Sequence, residues 1–218
     1  KKNLKADKKY QVEIDFIEKL KANLEKGIPA RALEYNEDEQ EMLKDMFLLT
    51  AKPIIYIANI SEEQIGNAEN EEMVKQVKEY AAKEGAEVIP LCVKIEEELS
   101  GLEDEDKKEM LEALGLKESG LDILIKKSYD LLGLMSFLTA GEPEVRAWTI
   151  KKNTKAPKAA GKIHSDIERG FIKAEIVSYE DLIREGSMVA AKEKGLVRQE
   201  GKEYIMQDGD IVLFKFNV

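Results

Sequence analysis

The strongest constraint on the fold is a short apolar run at residues 54–58, which ends at the polar residues Asn59 and Glu62. A continuous apolar run of this length predicts a strand that is buried on both faces of a parallel sheet. A helical pattern follows over residues 71–84, and a second apolar run follows at 87–90. Because this order produces two parallel strands joined by a crossover helix, we expect an α/β unit.

Two strands are too few for a sheet that is covered on both faces. Only helical patterns follow the second strand, over residues 104–113 and 120–138. We therefore expect further strands of this sheet to come from residues outside the sequence.

Charged helices are predicted before this unit. Residues 10–25 carry one apolar stripe with spacings of three and four, made of Ile14, Ile17, Leu20 and Leu24. A second helix should begin near Asn36, which can cap it, with Glu39 at the capping-box position. The two helices predict a helical hairpin over residues 1–47.

The pattern changes again after residue 138. Short strands are predicted at residues 145–150, 171–177 and 211–216, with a helix at 179–185. Residues 139–218 are therefore expected to form a compact α+β module, and residues 48–138 the α/β unit.

Composition narrows the class of protein. One cysteine and one histidine exclude an internal disulfide framework and a structural zinc site, and no metal ligands are predicted. No apolar stretch is long enough to span a membrane, and no signal peptide is recognisable, so we expect a soluble, cytoplasmic protein with no membrane partner.

The net charge of −10 is spread unevenly. Residues 95–118 hold ten Asp and Glu against three Lys and Arg, whereas residues 146–173 hold eight Lys and Arg against two Asp and Glu. The acidic run is typical of a solvated surface, but the basic stretch is a candidate for binding phosphate groups.

The segment Asn59-Ile60-Ser61-Glu62 lies where nucleotide-binding α/β proteins read the base. Guanine-binding proteins have Asn-Lys-x-Asp at this place, and their aspartate accepts two hydrogen bonds from guanine. The carboxylate of Glu62 is longer and should not accept both, so we expect adenine to bind at least as well. The same residues also have an explanation that needs no ligand: Asn59 caps the loop, and Glu62 lies at the start of a helix.

A second loop, Leu91-Cys92-Val93, follows the second strand where nucleotide folds touch the base edge. Cys92 itself fits a small packed apolar residue better than a reactive thiol. The sequence contains no G-x-x-x-x-G-K-[ST] phosphate loop, so it has candidate base-binding residues but no phosphate-binding loop.

Two further segments complete the pattern: Phe-Leu-Thr-Ala-Gly-Glu-Pro-Glu-Val-Arg-Ala-Trp-Thr-Ile at 137–150 and Lys-Ala-Pro-Lys-Ala-Ala-Gly-Lys-Ile-His-Ser-Asp at 155–166. With the base loops, they closely resemble the YchF-type, Obg-like ATPase family. The resemblance implies three parts: the tail of a coiled-coil insertion (1–47), the second half of a P-loop nucleotide domain (48–138) and a ubiquitin-like β-grasp TGS domain (139–218).

The resemblance also implies a function. Such proteins are associated with translation, bind ribosomes through the large subunit, and slowly hydrolyse ATP, or GTP, with Mg²⁺. It implies that the Ile60 backbone lies close to adenine and that Asn59, Glu62, Cys92 and Val93 line the base site. This chain departs from the family in lacking the phosphate loop and the switch segments, so no catalytic residue is assigned and hydrolysis by this chain alone is left open.

The basic stretch suits RNA phosphates, and no DNA partner is expected. Its candidate contacts are Arg146, Lys151, Lys152, Lys155, Lys158, Lys162 and Lys173. Trp148 is either a platform on which a base stacks or, more simply, part of a core. We expect His164 to be a surface or capping group. The alternative function is a non-catalytic module that binds RNA or protein.

Overall fold

The computed structural model describes residues 9–141 and 144–217. The first eight residues of the predicted hairpin lie outside the described part. So do Glu142 and Pro143, which follow Thr-Ala-Gly in a segment that carries the family resemblance. The chain divides into two compact units, unit 1 (Lys1–Lys126) and unit 2 (Lys127–Val218).

Unit 1 opens with helix α1 (Lys9–Leu24), a 3-10 turn (Ala30–Ala32) and helix α2 (Glu37–Asp45). The predicted capping box is confirmed: Glu39 N–H donates to the Asn36 side chain, and Asn36 N–H donates to the Glu39 carboxylate. The apolar stripe of α1 was predicted wrongly at one position. Phe16 and Leu20 are buried, whereas Ile17 is 48% exposed, because the core shared with α2 lies one residue to the side.

The strand, helix and strand predicted next are confirmed as elements, but the first strand is not buried on both faces, because Ile57 is 40% exposed on this two-stranded sheet. They are β1 (Ile55–Asn59), a 3-10 segment (Glu62–Asn70), α3 (Glu72–Lys83) and β2 (Glu87–Leu91). The two strands are parallel and pair from Ile55 with Glu87 to Asn59 with Leu91. Their carboxyl ends therefore lie at the same edge, and the loops that follow them are neighbours.

Three helices follow: α4 (Val93–Ser100), α5 (Asp104–Ala113) and α6 (Gly120–Leu131). The predicted helix over 104–113 is confirmed, but the one predicted to run to residue 138 is too long. Gly133 adopts a φ of +63°, a left-handed conformation that ends helices, and a strand begins at Leu134.

Unit 2 is a five-stranded sheet with helices. Its elements are β3 (Leu134–Ala140), β4 (Val145–Lys151), α7 (Ala156–Ile163), α8 (Ser165–Arg169), β5 (Phe171–Ser178), α9 (Tyr179–Glu185), α10 (Met188–Glu193), β6 (Arg198–Glu200) and β7 (Asp210–Phe216). The strand order is β4-β3-β7-β5-β6. The first and last strands, β3 and β7, are central and parallel, and the other pairs are antiparallel.

Each face of this sheet has its own core. On one face, the alanines of α7 pack with Phe137, Ile150 and Ile176, and Trp148 lies against this cluster. On the other face, Val177 and Ile211 pack with Met188 and Ala191 of α10. The mixed α/β class expected from the sequence is thus observed. Within the described ranges, no helix is long and apolar enough to cross a membrane.

Candidate functional site

The loops after β1 and β2 are joined by a side chain. The Asn59 side-chain oxygen accepts a hydrogen bond from the Val93 main-chain N–H at 3.1 Å. The Ile60 N–H donates to the Leu91 carbonyl oxygen at 3.0 Å. The structure therefore brings the two sequence-predicted loops together and holds them by hydrogen bonds between strand ends.

Glu62 lies at the start of the 3-10 segment and is exposed. Its carboxylate accepts a hydrogen bond from Lys94 at 3.3 Å, and this hydrogen bond and the negative charge raise the pKa of Lys94. An ion pair between two exposed side chains is weak and easily displaced. The Glu62 carboxylate can therefore exchange Lys94 for a ligand donor at little cost.

Cys92 contributes differently from Asn59 and Glu62. Its side chain is buried and packs in a cluster with Ile95 and Leu99. This is the packed apolar role that the sequence analysis considered more natural for Cys92. Any contact that Cys92 makes with a ligand would therefore come from its main chain, whereas Val93, at the first turn of α4, is half exposed.

A cleft of about 410 Å³, part of it open to solvent, lies beside these loops in unit 1. It is lined mainly by apolar side chains, including Ile60, Ile65, Leu91, Ile95 and Ile123. Its polar lining includes Glu96, whose carboxylate accepts hydrogen bonds from the main-chain N–H groups of Gly120 at 2.7 Å and Leu121 at 3.0 Å. Glu96 therefore caps the start of α6 and fixes one wall of the cleft.

The predicted basic residues are only partly gathered. Lys151, Lys152, Lys155 and Lys158 lie around the end of β4 and the start of α7. Three of them are engaged: Lys152 with Asp130 at 2.8 Å, Lys155 with Glu203 at 2.5 Å and Lys158 with Glu168 at 2.5 Å. Lys162 is exposed near the end of α7.

The other two candidates lie apart from this group. Arg146 is near the opposite end of β4 from Lys151. Lys173 is on β5, which β3 and β7 separate from β4, and it donates to Gln199 at 2.9 Å. Within the group around the end of β4 and the start of α7, Lys151, Lys152 and Lys155 lie closest together along the chain.

Trp148 and His164 have local partners. Trp148 lies nearly parallel to Phe137, donates to the Thr139 hydroxyl at 2.9 Å, and is covered by the Arg146 guanidinium 4.2 Å from its ring centre. His164 caps α8, where its Nδ1 accepts a hydrogen bond from the Asp166 N–H. In the described part of the chain, no group of three or more His, Cys, Asp or Glu could hold a metal ion.

Sequence reasoning missed two residues that shape the site, Lys94 and Glu96. Lys94 follows the second base loop directly, and its position beside Glu62 follows from the parallel pairing of β1 and β2. The capping role of Glu96 had no local signal, because its partner Gly120 is 24 residues away.

The proteins that the chain resembles are ATPases or GTPases by name. Residues 134–217 match the family model YchF-GTPase_C, described as a protein of unknown function (DUF933). The chain is 55% identical over 212 residues to the ribosome-binding ATPase YchF of Bacillus subtilis (strain 168), covering 97% of this chain and 58% of that protein. It is 45% identical over 212 residues to the protein of the same name from Haemophilus influenzae, with the same two shares covered.

A solved structure carries the same YchF name as these relatives. The chain superposes on the structure titled Schizosaccharomyces pombe YchF GTPase with a TM-score of 0.79 and 36% identity, over 98% of this chain and 56% of that one. The resemblance to the YchF-type family that the sequence predicts is therefore confirmed. The chain spans somewhat under three fifths of the length of these relatives.

Proposed function

We propose that this chain carries the base-recognition loops and the ribosome-docking part of a ribosome-associated, nucleotide-binding protein of the YchF type. The observation that carries the proposal is the hydrogen bond from Val93 to Asn59, which joins the loops of neighbouring parallel strands. Ligands of open α/β sheets bind outside the carboxyl ends of the strands, where these loops lie. The nucleotide would be ATP, or GTP, bound with Mg²⁺ in a protein that also holds the phosphates.

The groups at this edge favour adenine. The Ile60 N–H is already used by Leu91, which leaves the Ile60 carbonyl oxygen as its main-chain group for a base. That carbonyl and the Glu62 carboxylate are both hydrogen-bond acceptors. Adenine offers these acceptors an amino group at position 6, whereas guanine has a carbonyl oxygen there. The N1–H and N2–H donors of guanine fit the shorter aspartate of guanine-binding proteins, and the longer Glu62 should not accept from both.

The division into three parts belongs to the same proposal: residues 1–47 as a coiled-coil remnant, 48–138 as part of a nucleotide domain and 139–218 as a TGS domain. The sheet of unit 2 supports the last part with an earlier start at Leu134, because its first strand β3 (Leu134–Ala140) and its last strand β7 are central and parallel, as in a ubiquitin-like β-grasp.

Base recognition is tested by NMR titration of the labelled chain with adenosine and with guanosine. Nucleosides are used because they isolate the base from the phosphates. We expect adenosine to shift the amide signals of residues 59–62 and 91–94, and N59A and E62Q to weaken that response. Glu63→Gln, at the next exposed carboxylate, is the matched control. The proposal would be wrong if neither nucleoside shifted these amide signals, or if guanosine bound tenfold more tightly than adenosine.

Ribosome docking is tested by co-sedimentation of the chain with separated ribosomal subunits. The triple change K151E/K152E/K155E should abolish pelleting with the large subunit, because it reverses the charge of the lysines between the end of β4 and the start of α7. K75E/K83E/K108E makes the same change in net charge at exposed lysines of unit 1 and should retain pelleting. Equal pelleting of both triple variants would show that the basic group is ordinary surface.

The alternative is a non-catalytic module that binds RNA or protein through unit 2. It predicts ribosome pelleting without any nucleoside response. Salt separates the two kinds of partner, because binding to RNA phosphates falls with ionic strength by about one unit of log-log slope per contact, whereas protein docking need not.

A further inference from the structure

Unit 2 contains a second cleft that the proposed function does not use. It lies between α10 and the sheet face opposite α7, and it measures about 430 Å³, part of it open to solvent. Its apolar lining includes Ala140, Val177, Met188, Val197, Ile211 and Leu213. Small-molecule sites are mostly apolar, with a few polar groups that orient the ligand.

Two opposite charges complete the lining, Glu175 on β5 and Lys192 on α10. The Glu175 side chain is only 18% exposed, and the Lys192 amino nitrogen lies 3.7 Å from one of its carboxylate oxygens. That distance is too long for a hydrogen bond. Elsewhere in unit 2, Lys152 and Asp130 approach to 2.8 Å, so the pair at the cleft is a loose one.

The Glu175 carboxylate has unused capacity to accept hydrogen bonds. Its ion-pair partner Lys192 stays beyond hydrogen-bond distance, and no buried side-chain oxygen of the described residues lacks a hydrogen-bond partner. An ionised carboxylate can accept about four hydrogen bonds. Because Glu175 lines the cleft, a ligand that enters it can donate to this carboxylate.

We propose that this cleft binds a free α-amino acid with an apolar side chain, such as leucine or methionine. The ligand ammonium donates to Glu175, and its carboxylate pairs with Lys192, which is half exposed and free to turn towards it. The side chain lies among Val177, Met188 and Leu213. Leu213 is 52% exposed without a ligand, so binding would remove its apolar surface from water.

The charges distinguish this ligand from other apolar occupants. A fatty acid or an acylated amino acid has no ammonium, and its single negative charge would meet Glu175. A simple alkylamine has no group for Lys192. An α-amino acid is a zwitterion whose ammonium and carboxylate are joined through one carbon atom, so both of its charges can face Glu175 and Lys192 at the same time.

The test is an NMR titration of the full chain with L-leucine, followed at the methyl and amide signals of the cleft. We expect saturable shifts at Val177, Val197, Ile211 and Leu213. On the same protein, N-acetyl-L-leucine lacks the ammonium, L-leucinamide lacks the carboxylate, and glycine lacks the side chain. Each should bind at least about tenfold more weakly than leucine.

Two variants test the charges directly. E175Q and K192Q should each weaken leucine binding by about tenfold, while E180Q and K202Q, at exposed positions outside the cleft, should leave it unchanged. The emission of Trp148 and the dispersion of the amide signals report whether a variant is folded. If E175Q does not fold, the series of ligand analogues on the unaltered chain decides the question.

The proposal is overturned if leucine and methionine shift no cleft signal up to about 10 mM, or if N-acetyl-L-leucine binds as well as leucine. A response to a peptide but to no free amino acid would also overturn it and indicate a protein partner instead. These outcomes are independent of nucleotide binding, because every residue of the cleft is in unit 2 and both base loops are in unit 1.

Discussion

The Asn59 side-chain oxygen accepts a hydrogen bond from the Val93 N–H at 3.1 Å, although the two residues are 34 positions apart. We expect N59A to release the Val93 amide, because a single hydrogen bond of this kind contributes about 1 kcal/mol. Amide hydrogen exchange at Val93 should become about fivefold faster.

Two changes serve as controls for the Asn59 variant. N59D keeps an oxygen acceptor and should retain protection at Val93. N70A removes a local side-chain contact with Asn67 and should leave Val93 unaffected. Unchanged exchange at Val93 in N59A would show that the asparagine does not join the loops.

A second contact joins the 3-10 turn after α1 to the end of α3. The Arg31 guanidinium donates twice to one oxygen of the Glu84 carboxylate, at 2.9 and 3.0 Å, and the Tyr56 hydroxyl donates to the same oxygen at 3.2 Å. The Glu84 side chain is only 7% exposed. R31A should therefore lower the free energy of unfolding by about 2 kcal/mol, because it leaves a buried carboxylate without its counter-charge.

The measurement for Arg31 is urea unfolding followed by circular dichroism, with hydrogen exchange in α3 to locate the effect in unit 1. K21A breaks an exposed pair with Glu25 and should cost less than about 0.5 kcal/mol. Equal effects of R31A and K21A would contradict the expected role of the Arg31–Glu84 contact.

Glu84 should also make stability depend on pH. Burial alone would raise the pKa of Glu84, but hydrogen bonds from Arg31 and Tyr80 outweigh it and hold that pKa below the ordinary value of 4.5. The stabilisation is thus present above pH 4.5 and is lost as the pH falls through the lower folded value. E84Q should show a smaller loss of stability than the unaltered chain when unfolding is measured from about pH 6 down to about pH 3.

Gly120 is required by its contact with Glu96. A Cβ atom at Gly120 would lie 2.8 Å from a Glu96 carboxylate oxygen and 3.0 Å from the Leu91 Cβ. G120A should therefore displace the cap of α6 and cost about 1 kcal/mol, despite the better helix propensity of alanine. E96A should cost about the same, and the double variant little more than either, because both changes break one contact.

Thermal unfolding of the Gly120 and Glu96 variants measures these effects. Gly66 has no atom within 4 Å of the position of an added Cβ, so G66A should be neutral. Additive losses in G120A and E96A would show that the glycine and the glutamate act separately.

Tyr204 couples alkaline pH to the stability of unit 2. Burial, together with the hydrogen bond from its hydroxyl to Asp210 at 2.9 Å, raises the pKa of Tyr204 to about 12. The stabilisation is therefore complete below pH 10 and is lost as the pH rises through about 12. Urea unfolding followed by Trp148 fluorescence should show this loss, and Y204F should remove it. The same alkaline slope in Y204F would assign it to another group.

Local patterns predicted much of the secondary structure. The capping box at Asn36 and Glu39 and the helix at 104–113 depend on residues within one or two helical turns, so the sequence shows them directly. The strand β3 was missed because residues 131–138 are apolar almost throughout, which suits a buried helix as well as a strand. Gly133 was the signal that a helix should end there. The pairing of β3 with β4 and β7 decides that residues 134–140 form a strand.

For the candidate site, residue types in order along the chain were enough to single out Asn59, Glu62 and the Cys92 loop as neighbours. The packed role of Cys92 was expected as well, but residue types could not reveal that Lys94 covers Glu62 or that Glu175 and Lys192 line an apolar cleft. Propensity and capping act between residues close in sequence, whereas Lys94 and Glu62 are 32 positions apart. Such contacts exist only after strands have paired and helices have packed, and that packing decides which polar groups are satisfied and which remain for a ligand.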